Sequence, residues 1–191
     1  VQSWRTSDLV LDVGANDGEL LRHYRDYGPA GLLRVAFEPA LNFNEVLHRH
    51  CEVLVPHYFP QGLAQAHGMA GRVKVLTSIA MIYACDDPRS VVEAVDALLH
   101  PEGVWVVQFQ DLHQMLQQTA FDNITPEHLW YPSLAALERL LVGANLHLVD
   151  AEVRAINGGS LRLTIQRTDQ PVAASVGVLR AAEAGCEEWD T

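Results

Sequence analysis

The 191-residue sequence predicts an α/β fold: a seven-stranded, mostly parallel sheet with helices on both faces and a C-terminal antiparallel hairpin. Three observations predict it. Short apolar runs alternate with longer amphipathic ones, the pattern of parallel strands joined by helical crossovers. The first strand runs into a glycine-rich turn, Asp12-Val-Gly14-Ala-Asn16-Asp-Gly18, that opens a helix. The last two apolar runs are separated by six residues, too few for a helical crossover, so they pair antiparallel.

Taken in order, Leu9–Val13, bounded by Asp8 and Gly14, is a buried strand. Asp17 is a candidate cap for a helix that carries Leu20, Leu21 and Tyr24 on one face and ends near Gly28-Pro29. Leu33–Phe37 is the second strand and Leu41–His50 the second helix; Glu52–Val55 and Val73–Thr77 are the third and fourth strands. Asp86-Asp87-Pro88 supplies caps and a first-turn proline for the best-marked helix, whose apolar face is Val91, Val92, Val95, Leu98 and Leu99. His100-Pro101-Glu102-Gly103 breaks that helix before a fifth strand, Val104–Phe109. Pro132-Ser133 starts a helix running to about Val142, and Asn145–Val153 and Ser160–Gln166 form the hairpin around Gly158-Gly159. Val172–Glu188 is an alanine-rich terminal helix whose Val176, Leu179 and Ala182 must cover something, which makes it the expected surface for a homodimer or a partner domain. No repeat, low-complexity segment or linker interrupts the pattern, so one domain over residues 1–191 is expected, with 172–188 as its last helix.

Composition narrows the function classes. Nearly half the residues are hydrophobic (49%) and 19% are charged, as in an ordinary globular protein. The formal charge is −11 and no basic stripe is present, which disfavours a nucleic-acid partner. No apolar run approaches the ~20 residues that span a bilayer, and the N-terminus lacks a secretory pattern. Cys51, Cys85 and Cys186 are odd in number and widely spaced, against a disulfide framework or zinc cluster and in keeping with a reducing cytoplasm.

The turn after the first strand carries the chemistry. Gly14 and Gly18 allow a tight turn and close approach of a ligand to the backbone, and Asn16 tolerates positive φ. The spacing is not the Gly-x-Gly-x-x-Gly of dinucleotide sites. An acid inside the turn, Asp12, suits a ligand with a cationic end better than a pyrophosphate. Twenty residues after Gly18, Glu38-Pro39 closes the second strand, where a carboxylate can accept both hydroxyls of a ribose.

On these residues the sequence resembles the class I S-adenosylmethionine-dependent methyltransferases, which have a Rossmann-like sheet. The resemblance implies that Asp12, Gly14, Asn16 and Gly18 wrap the methionine part of the cofactor and that Glu38 holds the ribose. It also implies that Ser78-Ile-Ala-Met-Ile-Tyr83 flanks the adenine and sulfonium, with His57-Tyr58-Phe59 as the other adenine wall, and that S-adenosylhomocysteine is the product. Ser78, Tyr83, Pro39 and Phe59 are the cofactor contacts expected there.

A narrower resemblance lies past the fifth strand. Phe121-Asp-Asn-Ile-Thr125-Pro126-Glu127-His128, Tyr131-Pro-Ser133 and Ile156-Asn157-Gly-Gly-Ser-Leu-Arg162 are similar to segments of the sugar-nucleotide C-methyltransferases, over about residues 8–188. Those enzymes read Tyr-His-Glu-His where this chain has Thr125-Pro126-Glu127-His128, and often histidine where it has Asn157. The family's zinc-binding N-terminal and nucleotide-binding C-terminal domains have no counterpart in these residues. Methylating carbon requires removal of a proton next to a carbonyl, a task for a histidine of near-neutral pKa. His128 is the expected base, with Glu127 beside it able to orient it or raise its basicity. Gln108, Asn123 and Asn157 are the expected contacts to a small-molecule substrate, alongside Gln110 and Asp111.

His48-Arg-His50-Cys51 lacks a second ligand group at metal-binding spacing, so no metal is expected. The expectation is a cytoplasmic S-adenosylmethionine-dependent methyltransferase of natural-product biosynthesis acting on a keto-sugar-like or related small molecule. Its rivals are O- or N-methylation of a small metabolite and a non-catalytic cofactor-binding module.

Overall fold

The computed structural model describes residues 4, 8–65, 67–167 and 170–185. Seven strands form one sheet: β1 (Leu9–Val13), β2 (Leu33–Phe37), β3 (Val53–Val55), β4 (Val73–Ile79), β5 (Leu99–Gln110), β6 (His147–Arg154) and β7 (Ser160–Gln166). Their spatial order is β3-β2-β1-β4-β5-β7-β6. Strands β1 to β5 pair in parallel, whereas β7 lies antiparallel between β5 and β6. The chain leaves β1 toward β2 and β3, then returns to place β4 on the other side of β1. The carboxyl ends of β1 and β4 therefore flank the crevice where such sheets take their ligands.

Among the described residues there are six α-helices: α1 (Glu19–Tyr27), α2 (Asn44–Leu47), α3 (Pro88–Leu98), α4 (Leu112–Gln118), α5 (Leu134–Leu141) and α6 (Ala174–Ala184). Because side chains alternate along a strand, each strand feeds both faces. Leu11, Val13, Phe37, Leu76, Trp105, Val107, Leu161 and Leu163 pack with the apolar faces of α3, α5 and α6. Val10 and Ala36 face the other way and pack with Leu21 of α1 and Leu47 of α2.

Several boundaries depart from the sequence reading. The second helix shrinks to a 3-10 turn, Leu41–Phe43, followed by the four residues of α2. The residue capping α1 is Gly18, in a left-handed conformation, rather than Asp17, which accepts from the Glu19 N–H at 3.2 Å. Of the two acids before α3, Asp87 is the cap: it accepts from Arg89 and Ser90, with Pro88 in the first turn. Helix α3 does end ahead of His100, at Leu98, but the His100–Gly103 stretch is already strand, since β5 begins at Leu99, which pairs with Val73 ahead of a register shift. A Cβ at Gly103 would come within 2.7 Å of the Val73 carbonyl oxygen, so only glycine lets this irregular entry lie against β4. Ser133 caps α5 rather than opening it. Helix α4 went unread because its polar Gln114, Gln117 and Gln118 give little apolar period; Asp111 caps it. Helix α6 buries Val176 and packs Leu179 against its own sheet, while Ala182 stays exposed. The end of the predicted terminal helix, residues 186–188, lies outside the described residues, as does Cys186.

Candidate functional site

The loop from β1 to α1 is shaped by backbone conformation. Gly14, Asn16 and Gly18 all have positive φ (73°, 51° and 77°). The Gly14 and Ala15 N–H groups donate to the Phe37 carbonyl, tying the loop to the end of β2. Two close approaches explain the glycines: a Cβ at Gly14 would sit 3.2 Å from Met81 Cβ, and one at Gly18 would sit 2.9 Å from a methyl of Leu47.

Glu38 closes β2 and is buried. Its Oε2 accepts from the Asn16 N–H (2.8 Å) and its Oε1 from the Ala40 N–H (2.9 Å). The carboxylate thus knits the glycine loop to the chain after β2, and each oxygen keeps a lone pair for a further donor.

Asp12 lies in register with Thr77 across β1 and β4, and the Thr77 hydroxyl donates to its Oδ1 at 2.5 Å. Burial pushes the Asp12 carboxyl up to about 7; the Thr77 hydrogen bond opposes this, and the negative charge of Glu38 adds to it. A buried acid so displaced is primed for a cation. Thr77 has no sequence signal of its own, because only strand register places it there.

Over this loop opens a cavity of about 540 Å³. Val13, Gly14, Phe37, Glu38 and Pro39 line one side; His57, Tyr58, Phe59 and Pro60 line another; Ala80, Met81, Ala84, Cys85 and Asp86 close it. Phe59 meets the Phe37 ring edge-on, centroids 5.2 Å apart, and Tyr58 is mostly exposed. Of the expected cofactor contacts, Gly14, Glu38, Pro39 and Phe59 line the cavity, while Asp12, Asn16 and Gly18 frame the loop beside it. Ser78 and Tyr83 do not line it. The Ser78 hydroxyl is buried and accepts from the Trp105 indole at 2.8 Å. Tyr83 is buried in the core beneath the segment that follows β5. Met81 and Ala84, between those two, are the lining residues instead.

That segment carries the second constellation. Leu129 N–H donates to the Tyr83 carbonyl (2.9 Å) and the Trp130 indole to that of Ile82 (3.0 Å), pinning residues 128–131 over the turn after β4. The His128 ring lies 4.1 Å from that of Tyr83 and 6.0 Å from that of Tyr131, centroid to centroid. His128 Nδ1 and Thr125 Oγ1 are buried without a hydrogen-bond partner. Glu127 is exposed, and the buried His128 Nδ1 has no partner, the neighbouring carboxylate included. The pairing that adjacency in sequence suggested is therefore not made.

Gln108, Asn123 and Asn157 are brought to the same edge of the sheet. Gln108 is buried and accepts from Arg162 Nε at 2.8 Å; Asn123 Nδ2 and Gln110 Nε2 both donate to the Asn157 carbonyl. Asn157 has φ 51° at the tip of the β6–β7 turn. Asp111, beside them, is pushed up to about 6 by burial and by the charge of Glu183, and its Oδ1 has no partner. Among the described residues no three His, Cys, Asp or Glu side chains group as a metal site, and no helix is long and apolar enough to cross a membrane.

This sheet order, with an acid-bearing glycine turn at its switch point and a carboxylate closing the second strand, defines a class I S-adenosylmethionine-dependent methyltransferase domain. A family model described as "Methyltransferase domain" matches residues 5–151, and the chain belongs to that family. The chain is 32% identical over 158 residues to C-methyltransferase NovU of Streptomyces niveus, covering 81% of this chain and 36% of that protein. It thus spans about a third of that relative's length. Among solved structures it resembles an arsenic(III) S-adenosylmethionine methyltransferase of Chlamydomonas reinhardtii (TM-score 0.64, 15% identity, 86% of this chain and 64% of that one). It also resembles an S-adenosylmethionine-dependent methyltransferase of Aquifex aeolicus (TM-score 0.58, 13% identity, 83% and 81%).

Proposed function

We propose that the chain methylates carbon in a keto-sugar-like or related small molecule, with His128 as the base. The observation that carries the reading is the His128 imidazole: it is flanked by Tyr83 and Tyr131, and neither ring nitrogen has a hydrogen-bond partner among the described residues. A structural histidine at a helix cap or loop carbonyl would spend a nitrogen on that bond. The likeness to a C-methyltransferase points to carbon as the acceptor.

The residues at the cavity fit S-adenosylmethionine. Asp12, displaced upward by burial and by the charge of Glu38, suits the ammonium of its methionine end, and Glu38 keeps acceptor capacity for ribose hydroxyls. Gly14 leaves the backbone approachable between β1 and Met81, and Phe59 and Pro39 supply apolar walls for a base. When bound there, the cofactor supplies an electrophilic methyl group. The chain's own part is positioning and proton removal. His128 takes the proton from the carbon next to the substrate carbonyl, and Gln108, Asn123 and Asn157 orient the substrate. Positioning alone can supply several kcal/mol of the barrier reduction, roughly 7–11 at most.

The test is incubation with methyl-labelled cofactor and candidate keto-sugars, followed by mass analysis. His128→Ala is expected to bind cofactor normally and to turn over about a hundredfold or more slowly. Exchange of a substrate C–H proton with solvent, dependent on His128, supports carbon. Normal turnover without such exchange supports an oxygen or nitrogen acceptor. A second reading, a cofactor-binding module without catalysis, is favoured by Thr125 and Pro126 in the resembling motif and by the unpaired Glu127. Cofactor binding with no transfer to any small molecule of a natural-product extract would establish it.

A further inference from the structure

Arg162 stands apart from the other cations of this acidic chain. Of the partly or fully buried Arg and Lys side chains described, Arg22, Arg34, Lys74, Arg154 and Arg167 each pair with a carboxylate. Arg162 pairs with none: its Nε donates to the neutral amide of Gln108, and its two Nη groups have no acceptor among the described residues. An acid is at hand, because Glu152 lies directly across from it on β6, yet that carboxylate pairs with Arg154. With its Nε spent on a neutral amide and no carboxylate on its Nη groups, this half-buried guanidinium keeps its paired donors open to an incoming anion.

Register shows where this cation faces. Asp12 pairs with Thr77, Thr77 with Val106, and Val106 with Thr164, so these four share one face of the sheet. Gln108 and Arg162, paired with each other, lie two residues further along β5 and β7 on that same face. They sit toward the carboxyl edge, and the Gln108 carbonyl accepts from Ala80 N–H in the cavity wall (2.8 Å). At roughly 4.8 Å per strand, β5 and β7 lie about 5 and 10 Å from β4, the span of one metabolite from the cofactor cavity.

We propose that Arg162, its Nε held by Gln108, anchors an anionic oxygen group, carboxylate or phosphate, on the methyl-accepting substrate. The planar guanidinium offers a two-pronged donor set that a lysine cannot match, and Gln108 sets its plane before the ligand arrives. The substrate therefore carries an acid group one metabolite length from the carbon that receives the methyl. This rests on the methyltransferase reading for what the anion belongs to, but the anion site can be tested without it.

The test is an NMR titration of the 191-residue chain, following the arginine Nε–H signals, with acetate in one series and inorganic phosphate in another. Each series is run with and without S-adenosylhomocysteine. The Arg162 signal, assigned by its loss in Arg162→Gln, is expected to move saturably with a millimolar Kd in at least one series; which series saturates names the acid group. Arg162→Lys, which keeps the charge and the stem, is expected to retain the fold and bind about tenfold more weakly, with Gln108→Ala weaker by a similar factor. Signals of exposed Arg89 and Arg139 moving as much as that of Arg162, no response to either anion, or wild-type affinity in Arg162→Lys would overturn the proposal. A chain that binds S-adenosylhomocysteine but neither anion sinks this inference alone. A chain that saturates with anion but binds no S-adenosylhomocysteine sinks the cofactor reading and leaves the anion site standing.

Discussion

Asp12 is a buried acid that burdens the fold, and the size of the burden follows from its surroundings. Burial raises its pKa from 3.8 to about 7, so between those values the folded chain holds a proton that the unfolded chain releases. The sign is then fixed. The stabilising contribution is full below pH 3.8, declines as pH rises, and is gone above about pH 7. At about 1.4 kcal/mol per pH unit, the whole interval amounts to about 4 kcal/mol. Asp12→Asn keeps the shape and an acceptor for the Thr77 hydroxyl but cannot ionise. In cofactor-free protein the variant is expected to gain on wild type as pH rises, by about 2 kcal/mol between roughly pH 5.5 and pH 8. Urea unfolding of both proteins at each pH measures it, and taking their difference cancels other titrating groups such as Asp111. A wild-type to variant difference that does not change with pH would refute the reasoning. The same substitution should weaken S-adenosylmethionine binding and remove its rise in affinity up to about pH 7, because a cationic ligand prefers the ionised acid.

Glu38→Ala leaves the Asn16 and Ala40 N–H groups without their acceptor. It is expected to cost about 2–4 kcal/mol in urea unfolding and to weaken cofactor binding by roughly 10- to 100-fold in calorimetry. Gly14→Ala forces a side chain into φ 73° with its Cβ 3.2 Å from Met81 Cβ. A loss of about 1–2 kcal/mol in stability and at least roughly tenfold in cofactor affinity is expected, the first by thermal unfolding and the second by fluorescence titration. Glu183 of α6 accepts from the Leu134 and Ala135 N–H groups at the start of α5. Glu183→Ala is expected to destabilise by about 1–2 kcal/mol in urea. It should also lower the Asp111 pKa in an NMR titration, because the Glu183 charge helps raise it.

The sequence by itself determined whatever depends on local pattern. Alternation of apolar runs located all seven strands, and Ser160–Gln166 appears with the boundaries read for it. The positive-φ turn at Gly14, Asn16 and Gly18 was legible because few residue types adopt that conformation. Glu38 was legible as the acid that closes the second strand, and it lies in the cavity wall there. What only the tertiary structure decided depends on which strand lies beside which. Thr77 meets Asp12 across a separation of 65 residues, and Arg162 meets Gln108 across 54. Neither separation has a period to read. Adjacency in sequence misled where the chain turns, since Glu127 points to solvent while His128 packs on Tyr83. The physical reason is the same throughout. Local conformation is set by a residue's own backbone and its near neighbours, whereas partners across a sheet are chosen by connections that carry the chain far from its own sequence.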